Sequence, residues 1–235
     1  MQIFFPYYGA KLKLAADLGP PQRDHVIEPF AGSAGYSVFW EPPQVTLIER
    51  DPVVFGVWHY LQAVTVTELL RLPSDISSLD QLPAYVPQEA RWLIGFWFNH
   101  GLAVPAARRS NWARQARYQG RFWSKTVKLR LAAQVPKIKH WKLIEGSYEC
   151  APDIDAHWHI DPPYKSTGHP YKYNGINYQV LAEWCLQRRG FLQVCEAQGE
   201  DWLPFEALVK VNNSGIRGRN SRRGLSTEAV FENEQ

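Results

Sequence analysis

The chain has 235 residues, 45% hydrophobic and 21% charged, the balance of a folded domain and not of a disordered or low-complexity chain. Its formal net charge is only +3, no apolar run approaches the roughly 18 residues of a membrane span, and its 17 Pro and 16 Gly follow no period, which excludes membrane-spanning, collagen-like and solenoid classes. Cys150, Cys185 and Cys195 show no Cys-x-x-Cys spacing, and Met1–Pro6 lacks the basic lead of a signal peptide, so no disulfide framework or zinc knuckle and a reducing, cytoplasmic setting are expected.

In chain order, His25–Phe30 reads as a short buried strand that ends in the small-residue turn Ala31–Gly35 and leads into a helical stretch through Trp40. Val45–Glu49 reads as a second strand, and Pro52 opens a helix with Val53, Val57, Tyr60 and Leu61 on one side, Asp51 capping it. Pro73–Pro87 is loop-like, Gln88–His100 an aromatic helix, and Trp112–Val135 a basic helical region interrupted by Pro136. Leu143–Ser147 and Trp158–Asp161 are short strands. Asn177–Arg189 is an amphipathic helix closed by Gly190, Phe191–Glu196 and Leu208–Asn212 are further strands, and the tail beyond Glu232 frays. Strands alternating with helices at both ends argue for a parallel sheet over 1–65 and 142–235, helices on both faces, with a helical, basic domain inserted over 66–141.

Charge is segregated along the chain. Eleven basic residues and no acid lie between Pro105 and Ile144, and five more basic residues, again without an acid, between Lys210 and Gly224. The remainder holds ten basic against 23 acidic residues. Such segregation suits a polyanion-binding face, since each neutralised phosphate releases counterions. A plain solvated helix is the alternative. Trp112, Tyr118, Phe122, Trp123 and Trp141 interleave with these charges, either to stack on bases or to fill core.

Three segments can carry chemistry. Glu28–Gly35, a strand running into small residues before a helix, lets a ligand approach the backbone, although it lacks the Gly-x-Gly-x-x-Gly fingerprint and a Walker lysine. Glu49 ends the next strand where α/β folds grip ribose hydroxyls. In Asp161-Pro162-Pro163-Tyr164 two prolines fix an extended turn that presents a carboxylate, a carbonyl and an aromatic ring, a match for a flat heterocycle bearing an exocyclic amine. His159 reads as a packed histidine.

At these residues the chain resembles the DNA adenine methylase (Dam-like) family. Tyr7–Lys11 is similar to that family's aromatic-x-Gly-Gly-Lys segment with Ala10 for the second Gly, and Glu28–Gly35 to its Glu-Pro-Phe-x-Gly-Ser-Gly motif with Ala34 for Gly. Ile144–Tyr148 resembles its strand and turn near the cofactor adenine, Asp161–Tyr164 matches its catalytic motif, and Asn220–Arg223 followed by Glu228–Val230 resembles its C-terminal Asn-Arg-Arg segment. The matches run from Tyr7 to Val230 in the family's order, with the basic insert where that family keeps its target-recognition domain.

The resemblance implies a Rossmann-like methyltransferase sheet and transfer of a methyl group from S-adenosylmethionine to adenine N6 in duplex DNA. Asp161 and the Pro162 carbonyl would accept the two amine hydrogens, Pro163 would stiffen the turn, and Tyr164 would stack on the flipped base. Tyr7 and Lys11 would flank the cofactor, Phe30 and Gly32 line its amino-acid end, Glu49 hold its ribose, and Ser147 or Tyr148 sit near its adenine, with Asp161 at the shared boundary. Arg108, Arg109, Arg114, Arg117, Arg121, Lys125, Arg217, Arg222 and Arg223 would grip phosphates. The loop Lys165–Gly175, with Tyr171 and Tyr173, would close over the base or lie idle on the surface. The partner is duplex DNA and no membrane; the protein is taken as a monomer, with a separate restriction endonuclease left open. Rival readings are cytosine N4, RNA or a protein glutamine amide as substrate, and an inactive DNA-binding module on the same scaffold.

Overall fold

A computed structural model describes residues 1–74, 76–115, 120–212 and 225–234. Alternating apolar residues build one sheet from β1 (His25–Glu28), β2 (Gln44–Glu49), β3 (Lys142–Glu145), β4 (Ala156–Ile160), β5 (Gly190–Ala197), β6 (Glu206–Asn212) and β7 (Leu225–Glu234). Along β2, Val45 and Leu47 face one apolar cluster and Ile48 the opposite one, the two-residue period of a strand buried on both faces. The strand order is β3-β2-β1-β4-β5-β7-β6; the first five strands are parallel, and β7 is antiparallel to both β5 and β6. This is the mixed α/β, Rossmann-like sheet that the sequence led us to expect.

Six α-helices accompany it among the described residues: α1 (Gly35–Trp40), α2 (Pro52–Ala63), α3 (Val66–Arg71), α4 (Gln88–Phe98), α5 (Lys125–Gln134) and α6 (Tyr178–Cys185). Asp51 caps α2 as anticipated, its carboxylate accepting the Val53 N–H at 2.9 Å. None of the helices is long and apolar enough to cross a membrane.

The structure corrects four readings. β7 runs to Glu234 and pairs with β5 over Glu228–Glu234, so the described tail is ladder and does not fray. Among the described residues of 112–135 the α-helix spans Lys125–Gln134 only, with the Ser124 side chain capping it by accepting the Val127 N–H and Gly120 before it in the left-handed region at φ +90°. Helix α6 stops at Cys185, well short of Arg189. Gly190 therefore opens β5 instead of capping a helix; its φ is +101°, and a Cβ there would lie 2.3 Å from the Ala156 carbonyl oxygen.

The span 66–141 shares its core with the sheet. Phe96, Trp97, Trp123 and Leu131 belong to the same buried cluster as Phe4, Leu47 and Trp58, and the Trp97 indole N–H donates to the Phe4 carbonyl at 2.8 Å. Of the interleaved aromatics, Phe122, Trp123 and Trp141 are core and Trp112 is exposed. Tyr118 lies outside the described residues.

Candidate active site

Strand order alone locates a crevice. From β1 the chain crosses to β2 on one side, and from β4 to β5 on the other, so the carboxyl ends of β1 and β4 meet at a switch point with an open space above it. A cleft of about 250 Å³ lies there. Of the residues expected to bind a cofactor, all eight line it: Tyr7, Lys11, Phe30, Gly32, Glu49, Ser147, Tyr148 and Asp161.

The turn after β1 is shaped by close approach. Gly32 has φ +47°, and a Cβ on it would meet the Tyr7 ring at 3.1 Å; a Cβ on Gly35 would lie 2.5 Å from the Leu12 nitrogen. Ala34 takes the left-handed conformation, φ +48°, where the resembled family has Gly. Its neighbour Ser33 is buried with no partner for its hydroxyl. Across the cleft, Phe30 stacks on Tyr148, with ring centroids 5.5 Å apart and 28° between the planes.

A buried glutamate, Glu28, and a half-buried one, Glu49, underlie this turn. Glu49 accepts the Gly32 N–H at 2.9 Å and the Asp51 N–H at 2.8 Å, one on each oxygen, while Glu28 accepts the Ser37 N–H at 2.8 Å. Burial pushes each carboxyl up to about 7, the backbone donors opposing it. With Asp51, Glu149 and Asp161 they set five carboxyl groups around the cleft against Lys11 and Arg50.

The Asp161 end is an ion-pair network. The Lys11 ammonium, 5% exposed, lies 2.8 Å from Asp161 Oδ1 and 3.1 Å from the Gly9 carbonyl oxygen, and stands 4.7 Å from the centroid of the Tyr164 ring. Burial pushes the Asp161 carboxyl up and the Lys11 charge pulls it back in part; Lys11 is held above its ordinary value by Asp161 and Glu228 against its own burial. Asp161 and Pro163 line the cleft, whereas Pro162 is buried behind them. The Tyr178 hydroxyl donates to the Pro163 carbonyl; no described donor engages the Pro162 carbonyl.

Tyr164 sits differently from its expected role: its ring packs toward Lys11 and the sheet, and its hydroxyl donates to Glu228 on β7. His159 is the packed histidine foreseen, stacked on Tyr36 at 4.3 Å and bonded to Gln193, with burial pushing its imidazole down to about 3. The loop after Tyr164 lies across the cleft. The Tyr171 hydroxyl donates to the Tyr8 carbonyl at 2.9 Å, and the Arg50 guanidinium is 5.1 Å from the Tyr173 ring. The Glu228 and Tyr178 contacts escaped the sequence reading, since no periodicity or spacing marks a partner across the sheet.

The basic residues divide. Arg108 is exposed and paired with Asp80 at 3.0 Å; Arg109 turns inward, donating to the Trp123 carbonyl with its guanidinium 5.6 Å from the Phe98 ring. Arg114, Arg121 and Lys125 are exposed. Arg109, Arg114 and Lys125 line a second cavity of about 590 Å³ together with Ser77, Phe122 and Trp123. Arg117, Arg217, Arg222 and Arg223 lie outside the described residues.

No protein-family model matches the chain, and no curated protein matches it. Among solved structures it is similar to one described as "Putative methyltransferase yhhF from Escherichia coli", at 9% identity and a TM-score of 0.40, over 95% of this chain and 81% of that one. The likeness is slight.

Proposed function

We propose that the chain is an S-adenosylmethionine-dependent methyltransferase acting on the exocyclic N6 of adenine in duplex DNA. The observation that carries this reading is the end of β4, where the Asp161 carboxylate lines the switch-point cleft and the next residue, the buried Pro162, has a carbonyl that no described donor engages. An exocyclic amine has two hydrogens and a lone pair delocalised into its ring. Two acceptors at its hydrogens favour a more tetrahedral nitrogen with the lone pair available for attack.

The rest of the cleft fits the cofactor. Five carboxyl groups favour a sulfonium cation, the Gly32 turn admits a ligand to the backbone, and the buried Ser33 hydroxyl lacks a partner among the described residues. Glu49 retains lone pairs beyond the two that hold Gly32 and Asp51, enough for ribose hydroxyls, and the Phe30–Tyr148 pair offers an aromatic wall for an adenine. When bound, S-adenosylmethionine supplies an electrophilic methyl group on a good leaving group. Tyr7, Lys11, Ser147 and Tyr148 would shape its seat. Tyr171 would border the base, which must leave its stack to reach Asp161. The acid-free basic stretch, with exposed Arg114, Arg121 and Lys125, favours nucleic acid over a small acceptor.

The test is to incubate the protein with methyl-labelled S-adenosylmethionine and unmethylated duplex DNA, digest, and identify the labelled nucleoside. N6-methyladenine is expected, lost by at least a hundredfold in Asp161→Asn while cofactor binding persists. Label in N4-methylcytosine would replace the base and keep the chemistry. Cofactor binding without transfer to DNA or RNA would defeat the reading in favour of an inactive binding module.

A further inference from the structure

Tyr164 belongs to a turn that leaves the sheet, yet its ring is tied back to it. Its hydroxyl donates to Glu228 Oε2, and Glu228 stands on β7, opposite Ala197 of β5 on one side and Val209 of β6 on the other. A strand paired on both edges is a rigid post. On the face of the Tyr164 ring sits the Lys11 ammonium, 4.7 Å from the centroid, whose remaining donors point to Gly9 and Asp161. Four groups from three parts of the chain thus form one series: the Glu228 carboxylate, the Tyr164 ring, the Lys11 ammonium and the Asp161 carboxylate.

We propose that Glu228 is a positioning residue for the methyl transfer: by holding the Tyr164 hydroxyl it fixes the ring that seats Lys11 against Asp161, and so holds the acceptor carboxylate in one orientation. The inference rests on the methyltransferase reading above. Glu228 does not line the cleft and acts only through its neighbours. Misplacing an acceptor by a fraction of an ångström weakens a transition-state contact without weakening cofactor binding, so the effect belongs in kcat.

The test compares wild type with Glu228→Ala, Glu228→Gln, Tyr164→Phe and the double variant Tyr164→Phe/Glu228→Ala, using labelled S-adenosylmethionine and duplex DNA. Glu228→Ala and Tyr164→Phe should each lower kcat about tenfold and leave KM for the cofactor within about twofold. The double variant should lose no more than the worse single one, because both remove the same bond. Glu228→Gln, whose amide oxygen still accepts from the hydroxyl, should stay within about threefold of wild type. A Glu228→Ala protein with unchanged kcat and full cofactor binding, a Gln variant no better than Ala, or losses that multiply would overturn the positioning role. Thermal unfolding of the same four variants reads the clasp without any activity: the Tm losses of the single variants should be shared, not summed, in the double. Shared losses beside a wild type that methylates nothing would overturn the methyltransferase reading and the role built on it; summed losses beside an active wild type would overturn the role alone.

Discussion

Replacing Glu28 by Gln should stabilise the protein above neutral pH and leave it unchanged in mild acid. Glu28 ends β1, is 3% exposed, and gives one oxygen to the Ser37 N–H at 2.8 Å. Burial raises its carboxyl from 4.5 to about 7. At about 1.4 kcal/mol per pKa unit, that shift corresponds to about 3 kcal/mol between the protonated and ionised forms. The folded chain holds this proton more tightly than the unfolded chain, so the contribution is complete below about pH 4.5 and is lost as pH rises to about 7. Glutamine keeps the acceptor for the Ser37 N–H and never ionises. At pH 8 Glu28→Gln should therefore exceed wild type by about 3 kcal/mol, or roughly 6–12 °C in Tm for a chain of this size. At pH 5 the two should agree to within about 2 °C. Circular-dichroism melts at pH 5, 6, 7 and 8 measure the difference; Glu49 titrates in both proteins and cancels. A Tm difference independent of pH, or a variant less stable than wild type at pH 8, would refute the reasoning.

Two further outcomes follow from geometry and charge. Gly35→Ala should destabilise the protein by about 1–3 kcal/mol in denaturant melts, since its Cβ would lie 2.5 Å from the Leu12 nitrogen and 2.8 Å from the Lys11 nitrogen, backbone that cannot swing aside; a neutral result would mean that the N-terminal segment is loosely seated. If duplex DNA is the partner, Arg114→Ala with Lys125→Ala should flatten the plot of log affinity against log salt by about 2, close to 0.9 for each phosphate no longer neutralised, and an unchanged slope would remove both residues from the interface.

The parallel core of the sheet was legible because its signals are local. Val45–Glu49 and Trp158–Ile160 are apolar runs of strand length, and Pro52 behind Asp51 is a helix start that needs no tertiary context. Among the eight cleft residues, Phe30, Gly32, Glu49 and Asp161 were legible from the strand ends at or after which they stand, whereas Tyr7, Lys11, Ser147 and Tyr148 came from the family resemblance alone. What escaped was non-local. β7 is rich in Glu and Asn, and its strand character comes from pairing with β5 and β6, which composition does not announce. The orientation of Tyr164 depends on that same strand, through Glu228. A reading that misses β7 places the tyrosine by its sequence neighbours and aims it at the cleft.

The basic stretch shows the same limit in another form. Eleven cations without an acid read as a surface awaiting phosphates, yet several have intramolecular partners that are not acids. Lys128 reaches the Leu70 and Leu72 carbonyls at the end of α3, and Lys139 the Gln62 and Val64 carbonyls at the end of α2. Helix carboxyl ends leave carbonyls unpaired and carry partial negative charge, so a cation docks there without any carboxylate nearby. Arg130 lies 4.8 Å from the Trp97 ring and bonds Gln2, again with no acid. An acid-free run therefore overstates the charge on offer to a polyanion, because backbone carbonyls and aromatic faces are acceptors that a count of Asp and Glu does not see. Exposed Arg114, Arg121 and Lys125 lie together in sequence between the inward-turned Arg109 and the buried Lys128, so the cations on the surface of this stretch are fewer than its eleven.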